Sequence, residues 1–532
     1  MPKPILYQLL PRLWGNDCKD PVPGGSLSRN GCGKFSSIDA ACLEYFRKLG
    51  VTHLWYTGVI RHATTEPFEG CPASNPCIVK GRAGSPYAIV DYYDVNPYLA
   101  DVQSERMAEF EGLVKRTHAA GLKVLIDFIP NHVSRDYGKV GLVRKDVRPF
   151  GADDDDAAIW KAENDFFYCP GRSLELPSRT GWTGAPYLET PARASGNCFS
   201  SAPGPDDWYE TVRLNYGEER TGTWDKMYDI LRYWCGKGVD GFRCDMVEMV
   251  PRQFLKWLIG RIKDEFPEVV FLGEVYRRDC YSGYIRDVGF DFLYDKSGLY
   301  DVLLEILREG ASARKISWNW QFLGDLQPRM LNFLENHDEP RFACDDLAGD
   351  ASRSYAALGA SLLFNTCPFM VYAGGEVGER GMDQEGFSGR DGRTSIFDWW
   401  SPGSLRRLRR HIHTGEGLTE RERRVLERYS RALGLAAEPP VAEGGTFDLC
   451  YCNLDSEGFD PDRHFVFLRA CGSGALLVFC NFSEQACTVR VKIPAEAFSC
   501  LGIPQTEAFN ATEPVELTCP PLDFRLLRRS AR

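Results

Sequence analysis

The chain has 532 residues, 43% of them hydrophobic and 12% aromatic, which suits two or three domains with a sizeable core. Its net charge of −11, with no cluster of Lys and Arg among aromatics, excludes non-specific binding to nucleic acid. The apolar stretch from Leu358 to Gly375 is broken by Asn365 and Pro368, which excludes a membrane span there.

No secretory n-region and h-region precede Ile5, where ILYQLL reads as a first strand. A cytoplasmic location is therefore expected. The alternative is a secreted or periplasmic protein whose leader has been removed. Further strands are expected at THLWYTGV, KVLIDF, GVDGFRC, VVFLGEV, FDFLYD, MLNFLE and PFMVYAG. Helical stretches such as IDAACLEYFRKLG and ERMAEFEGLVKRTHAAG lie between most of them, each closed by Gly. Eight such units predict a parallel sheet closed as a (β/α)8 barrel.

One connection, from His132 to about Gly222, is far longer than the others. It is rich in Gly, Pro, Asp and Ser, and a connection of that length is functional or a small domain. Its run Asp153 to Asp156 reads as a solvated acidic turn in preference to a cation site. After the eighth strand come helices rich in Arg and Glu, between Leu405 and Leu435. The last ~90 residues then change to short strands, TFDLCYC, HFVFLRA, ALLVFCNF, CTVRVKI and FRLLRR, as in an all-β sandwich. The expected divisions are a barrel over 1–132 and 223–438, an inserted domain over 133–222 and a C-terminal β-sandwich domain over 439–532.

Nineteen cysteines show no CxxC spacing, so zinc and thioredoxin-like readings are weak. In an oxidising compartment Cys71 and Cys77 would close a loop. With no leader, reduced cysteines acting as small apolar residues are expected. Cys450 and Cys452 would face one side of a strand.

Acidic residues stand at the ends of four strands: Asp127, Asp245, Glu274 and Asp338. In such barrels the reacting groups come from the C-terminal ends of several strands, and paired carboxylates there suit glycosidic bond cleavage. Arg243 and Asp245 are two apart and share a strand face. The guanidinium would hold the aspartate ionised, as a nucleophile requires. Glu274 sits among apolar neighbours, where burial would keep it protonated as a general acid. Asn131 and His132 follow Asp127, and His337 precedes Asp338. Singly, each motif reads equally well as an ion pair, a cap or a turn. Four in barrel order point to a site.

These segments resemble the four conserved regions of the α-amylase family, glycoside hydrolase family 13: DFIPNH, GFRCDMVE, FLGEVY and FLENHD. The resemblance implies the same layout of barrel, small domain inserted after strand 3 and C-terminal β domain. It implies Asp245 as nucleophile, Glu274 as general acid/base and Asp338 as transition-state stabiliser. Arg243 would position Asp245. His132 and His337 would bind sugar hydroxyls, and Tyr87 would stack on the sugar. Asn215 matches a further short region in the inserted segment. The substrate implied is an α-glucan or oligosaccharide, with no organic cofactor. Asn131 and the Met249 carbonyl match ligands of a structural calcium. Departures are Glu248 and Met249 where many relatives carry Lys-His, and Gly58 where a Pro often stands. The RLN at 213 to 215 is closer to neopullulanase-like and cyclomaltodextrinase-like members. Three readings stay open: a hydrolase of α-1,4 links in starch or maltooligosaccharides, a 4-α-glucanotransferase or other transglycosylase, and an inactive barrel used for binding. The three carboxylates stand against the last. Trp224, Trp318 and Trp320 are as well explained by core packing as by a glucan cleft.

Overall fold

The computed structural model describes residues 3–177, 185–472, 474–507 and 509–529. Eight parallel strands close into a barrel: Ile5–Leu9, His53–Tyr56, Lys123–Phe128, Gly241–Cys244, Val270–Gly273, Phe292–Tyr294, Met330–Phe333 and Phe369–Tyr372. Each pairs with its neighbours in sequence, and the first closes on the eighth with Ile5 opposite Phe369. All eight expected strands are present. Among the described residues no helix is long and apolar enough to cross a membrane.

The strands read as near-continuous apolar runs because both faces are covered. Alternate residues divide the work. Tyr7, Leu54, Ile126, Phe242 and Phe271 point outward into the layer shared with the helices. Leu6, Trp55, Leu125, Leu272, Tyr294, Leu331, Phe333 and Met370 point inward and fill the barrel. Burial of each such side chain contributes about 1.5–3 kcal/mol, so the interior is a packed plug and not a pore. Two residues beyond Leu125 comes Asp127, and two beyond Leu272 comes Glu274. The pleat that buries the plug therefore lifts the polar side chains onto its upper rim.

Helix termini follow local chemistry. Asp39 caps helix Ala40–Lys48 by accepting the Cys42 N–H. Thr419 and Glu422 form a reciprocal capping box on helix Glu420–Gly434. The long connection leaves the third strand and returns at helix Gly222–Gly236. Its start and end are pinned together, since His132–Ser134 pairs antiparallel with Thr211–Arg213. Asn215 bonds the carbonyls of Lys161 and Asn164, which makes it a brace within this segment. In the acidic run, Asp153 pairs with Arg148 in solvent. Asp154 accepts the N–H groups of Asp165 and Phe166, so it organises a turn.

At the C-terminus, Gly445–Asp448, His464–Cys471, Gly474–Asn481 and Asp523–Arg529 form a four-stranded antiparallel sheet. Cys487–Val491 and Val515–Cys519 form a separate two-stranded ribbon. The first strand stops at Asp448, whose carboxylate accepts the Cys450 N–H and turns the chain. Cys450 and Cys452 thus lie in a turn, contrary to the strand expected from TFDLCYC. Arg469, fully buried, donates to the carbonyls of Phe364, Pro440, Val441 and Gly444 and so ties the sheet to the barrel. All nineteen cysteines are unpaired, ten of them buried.

Candidate active site

Arg243 is the centre of the upper rim. It is fully buried and points inward from the fourth strand, as its register opposite Asp127 and Leu272 requires. Its Nη1 lies 2.6 Å from Asp245 Oδ1. Its Nη2 lies 2.8 Å from Glu274 Oε1 and 3.7 Å from Asp338 Oδ2. The rings of Trp55, Tyr87 and Tyr294 surround the guanidinium at 5.4–5.6 Å. One cation therefore holds three carboxylates drawn from three strand ends.

Backbone groups finish the arrangement. Met246, directly after Asp245, takes a left-handed conformation with φ 45°. Such a conformation is costly for a residue with a side chain and clusters at functional sites. Here it aims the Met246 N–H at Glu274 Oε2, 2.8 Å away. Tyr276 Oη donates to Glu274 Oε1 at 2.7 Å. Glu248 accepts the N–H groups of Tyr276 at 2.7 Å and Arg277 at 3.2 Å. Asp338 follows a turn in which Asn336 Oδ1 accepts the N–H groups of Asp338 and Glu339.

Asp127 stands apart from this trio. Its carboxylate accepts from Trp55 Nε1 at 3.2 Å, Gly58 N at 3.0 Å and Tyr87 Oη at 3.4 Å. It is a brace for the second strand and for Tyr87. Gly58 has φ +73° and presents an N–H to Asp127, which a proline could not supply. His337 contacts the Tyr87 hydroxyl and stacks on its ring at 5.4 Å. The Gln8 amide nitrogen lies 2.7 Å from His337 Nδ1, which leaves the ring proton on Nε2, 3.0 Å from Asp338.

A cavity of about 350 Å³ opens over these groups. Asp245, Glu274, Asp338, Tyr87 and His132 line it, as expected from the sequence. Arg243 and His337 sit behind its wall, holding the groups that do line it. His132 packs on Trp208, ring centroids 5.1 Å apart. Lys80, Trp208, Glu210, Tyr276, Ile396 and Phe397 also line the cavity and were not legible in the sequence, because they come from irregular loops. Trp224 is buried against Phe254 and Trp257, and Trp320 packs on Phe364. Trp318 is exposed. None of these three lines the cavity.

Electrostatics differ from the simple pair picture. Arg243 alone would hold Asp245 below the usual carboxylate range. Burial outweighs it, helped by the charges of Glu274 and Asp338, and the Asp245 carboxyl lies well above that range. Asp338 is pushed up to about 7 by burial and then by Glu274, against the pull of Arg243. Its side chain is still 38% exposed, so water screens part of that effect. Asp245 and Asp338 lie beside the same cation and titrate together. Burial lowers His132 to about 3 and drives His337 well below its ordinary value, so both rings are neutral.

Fold and rim together suit a glycoside hydrolase barrel, and known proteins similar to this chain agree with that reading. Residues 28–270 match the model of the alpha amylase catalytic domain. A cyclomaltodextrinase of Geobacillus thermopakistaniensis is 22% identical over 528 residues, spanning 97% of this chain and 72% of that protein. Neopullulanase 2 of Thermoactinomyces vulgaris is 22% identical over 391 residues, 71% of this chain and 57% of that protein. The crystal structure of an α-amylase from Geobacillus thermoleovorans with acarbose shares the fold. Its TM-score is 0.63 at 19% identity, covering 100% of this chain and 99% of the other.

The raised carboxyls predict a pH signature. A carboxyl whose folded pKa exceeds its unfolded value binds a proton more tightly in the native state. Stability from it is full below about pH 4 and is lost as pH rises toward the folded value. Asp338→Asn is therefore expected to lose activity yet gain stability at pH 8 relative to wild type, with little gain at pH 4. Thermal unfolding of both proteins at the two pH values checks this. A gain independent of pH would contradict it.

Proposed function

We propose that this chain is a retaining α-glycoside hydrolase cleaving α-1,4-glucosidic bonds of starch or maltooligosaccharides. The observation that carries the reading is the single guanidinium bridging Asp245 and Glu274 at the cavity floor. Two carboxylates on adjacent nitrogens of one planar group favour the short spacing of double displacement, about 5–5.5 Å, over the wider spacing that admits a water between them. Asp245 attacks the anomeric carbon while Glu274 protonates the leaving oxygen. Glu274 then takes a proton from water as the glycosyl-enzyme is hydrolysed. Asp338 holds sugar hydroxyls and stabilises positive charge on the ring without transferring a proton. Tyr87 and Trp208 offer aromatic faces to the sugar. The names of the relatives, a cyclomaltodextrinase and a neopullulanase, support an α-glucan substrate.

The test is product analysis with maltoheptaose and soluble starch, with Asp245→Asn as control. Short maltooligosaccharides of retained α configuration are expected, with turnover reduced by about 10⁴-fold or more in the variant. Products longer than the substrate would reassign the chain as a 4-α-glucanotransferase. Full activity in the variant would refute the assigned nucleophile.

The contacts of the residues expected to hold calcium favour a protein cation over a metal ion there. The Met249 carbonyl accepts from Arg213 Nη2 at 2.9 Å, so a cation already stands at that oxygen. Asn131 Nδ2 donates to the Gly196 carbonyl at 2.9 Å. Among the described residues no cluster of carboxylates gathers there. A dication beside a guanidinium would be repelled. We propose that Arg213, on the strand that closes the inserted segment, binds that segment to the barrel in place of a metal. Chelation with EDTA is expected to leave activity and the unfolding midpoint unchanged, whereas Arg213→Ala lowers the midpoint by about 1–3 kcal/mol of stability. Loss of activity on chelation, restored by calcium, would overturn this.

A further inference from the structure

We propose that Tyr276, held by Glu248, is a positioning residue that fixes which oxygen of Glu274 delivers the proton. The inference rests on the reading of Glu274 as general acid. Glu274 Oε1 accepts from Tyr276 Oη at 2.7 Å and faces the charge of Arg243 Nη2 at 2.8 Å. Oε2 accepts from the Met246 N–H at 2.8 Å. A donated hydrogen bond and a neighbouring guanidinium charge both favour negative charge on Oε1. The acidic proton therefore resides on Oε2. From there it passes to the glycosidic oxygen as the C1–O bond breaks. The bond's electron pair goes to that oxygen, and Asp245 forms the new bond to C1.

Tyr276 makes this assignment only if its own backbone is fixed. Glu248 does that. It sits in the short helix Val247–Met249, directly after Asp245 and Met246, and grips the N–H groups of Tyr276 and Arg277 in the loop after the fifth strand. The loop bearing the nucleophile is thereby clasped to the loop bearing the acid. A lysine at this position has no acceptor and could not make the clasp. The acidic residue at 248, unexplained from sequence, has a function in this geometry.

The test compares leaving groups. Maltoheptaose needs protonation of its leaving sugar, whereas fluoride departs from α-maltosyl fluoride with little help from an acid. In Tyr276→Phe, kcat/KM for maltoheptaose is expected to fall by about 10²-fold, at least tenfold more than for the fluoride. Glu248→Ala is expected to give the same selective loss, and Glu248→Gln a smaller one. Turnover of the fluoride reports that each variant is folded. Equal losses on both substrates would show a merely structural role and overturn the proposal. So would unchanged turnover of maltoheptaose in Tyr276→Phe. Wild type that cleaves neither substrate would instead remove the reading of Glu274 on which the proposal stands.

Discussion

A single buried guanidinium facing three carboxylates sets the terms for the rest of this molecule. Arg243 has no exposure to water, so its charge must be met by protein groups. Asp245, Glu274 and Asp338 meet it from three different strand ends. Their number exceeds its charge, and with burial this raises the carboxyls of Asp245 and Asp338. The barrel supplies the rigidity. Its apolar plug forbids the cluster to sink, and its aromatic cage of Trp55, Tyr87 and Tyr294 forbids it to spread.

Backbone geometry refines what the charges begin. Left-handed turns at Met246 and Gly58 each aim an N–H at a carboxylate, Glu274 in one case and Asp127 in the other. The first involves a residue with a side chain and stores strain beside the nucleophile. The second uses the residue type for which the turn is free. Neutral His132 and His337 serve as fixed dipoles in this setting and add no charge to it. Asp127, equivalent to the others in sequence pattern, is removed from the chemistry by its three donors.

Much of this was legible in the chain. Eight strands stood out because burial on both faces makes them apolar throughout, although their ends overran: FDFLYD contains only a three-residue strand, Phe292–Tyr294. The i, i+2 spacing of Arg243 and Asp245 gave their common face. The strand Val515–Cys519 was missed, since exposed Glu516 and Thr518 dilute it to a half-polar run. Spacing reveals the Arg243 partner of Asp245 but not the desolvation that opposes it. Lys80, Trp208, Glu210, Ile396 and Phe397 carry no periodic signal, and only the closed chain brings them to one cavity. The same holds for Arg213, whose partner Met249 is 36 residues away.

Trapping the glycosyl-enzyme tests the assignment of nucleophile and acid most directly. Glu274→Gln would be incubated with α-maltosyl fluoride, quenched in acid, digested and examined by peptide mass spectrometry. The first displacement needs no acid with this substrate, while the second loses its base, so the covalent species accumulates. One maltosyl group on the peptide bearing Asp245 is the expected result. A glycosyl group on another side chain, or steady turnover by the variant to maltose of inverted configuration, would contradict the mechanism.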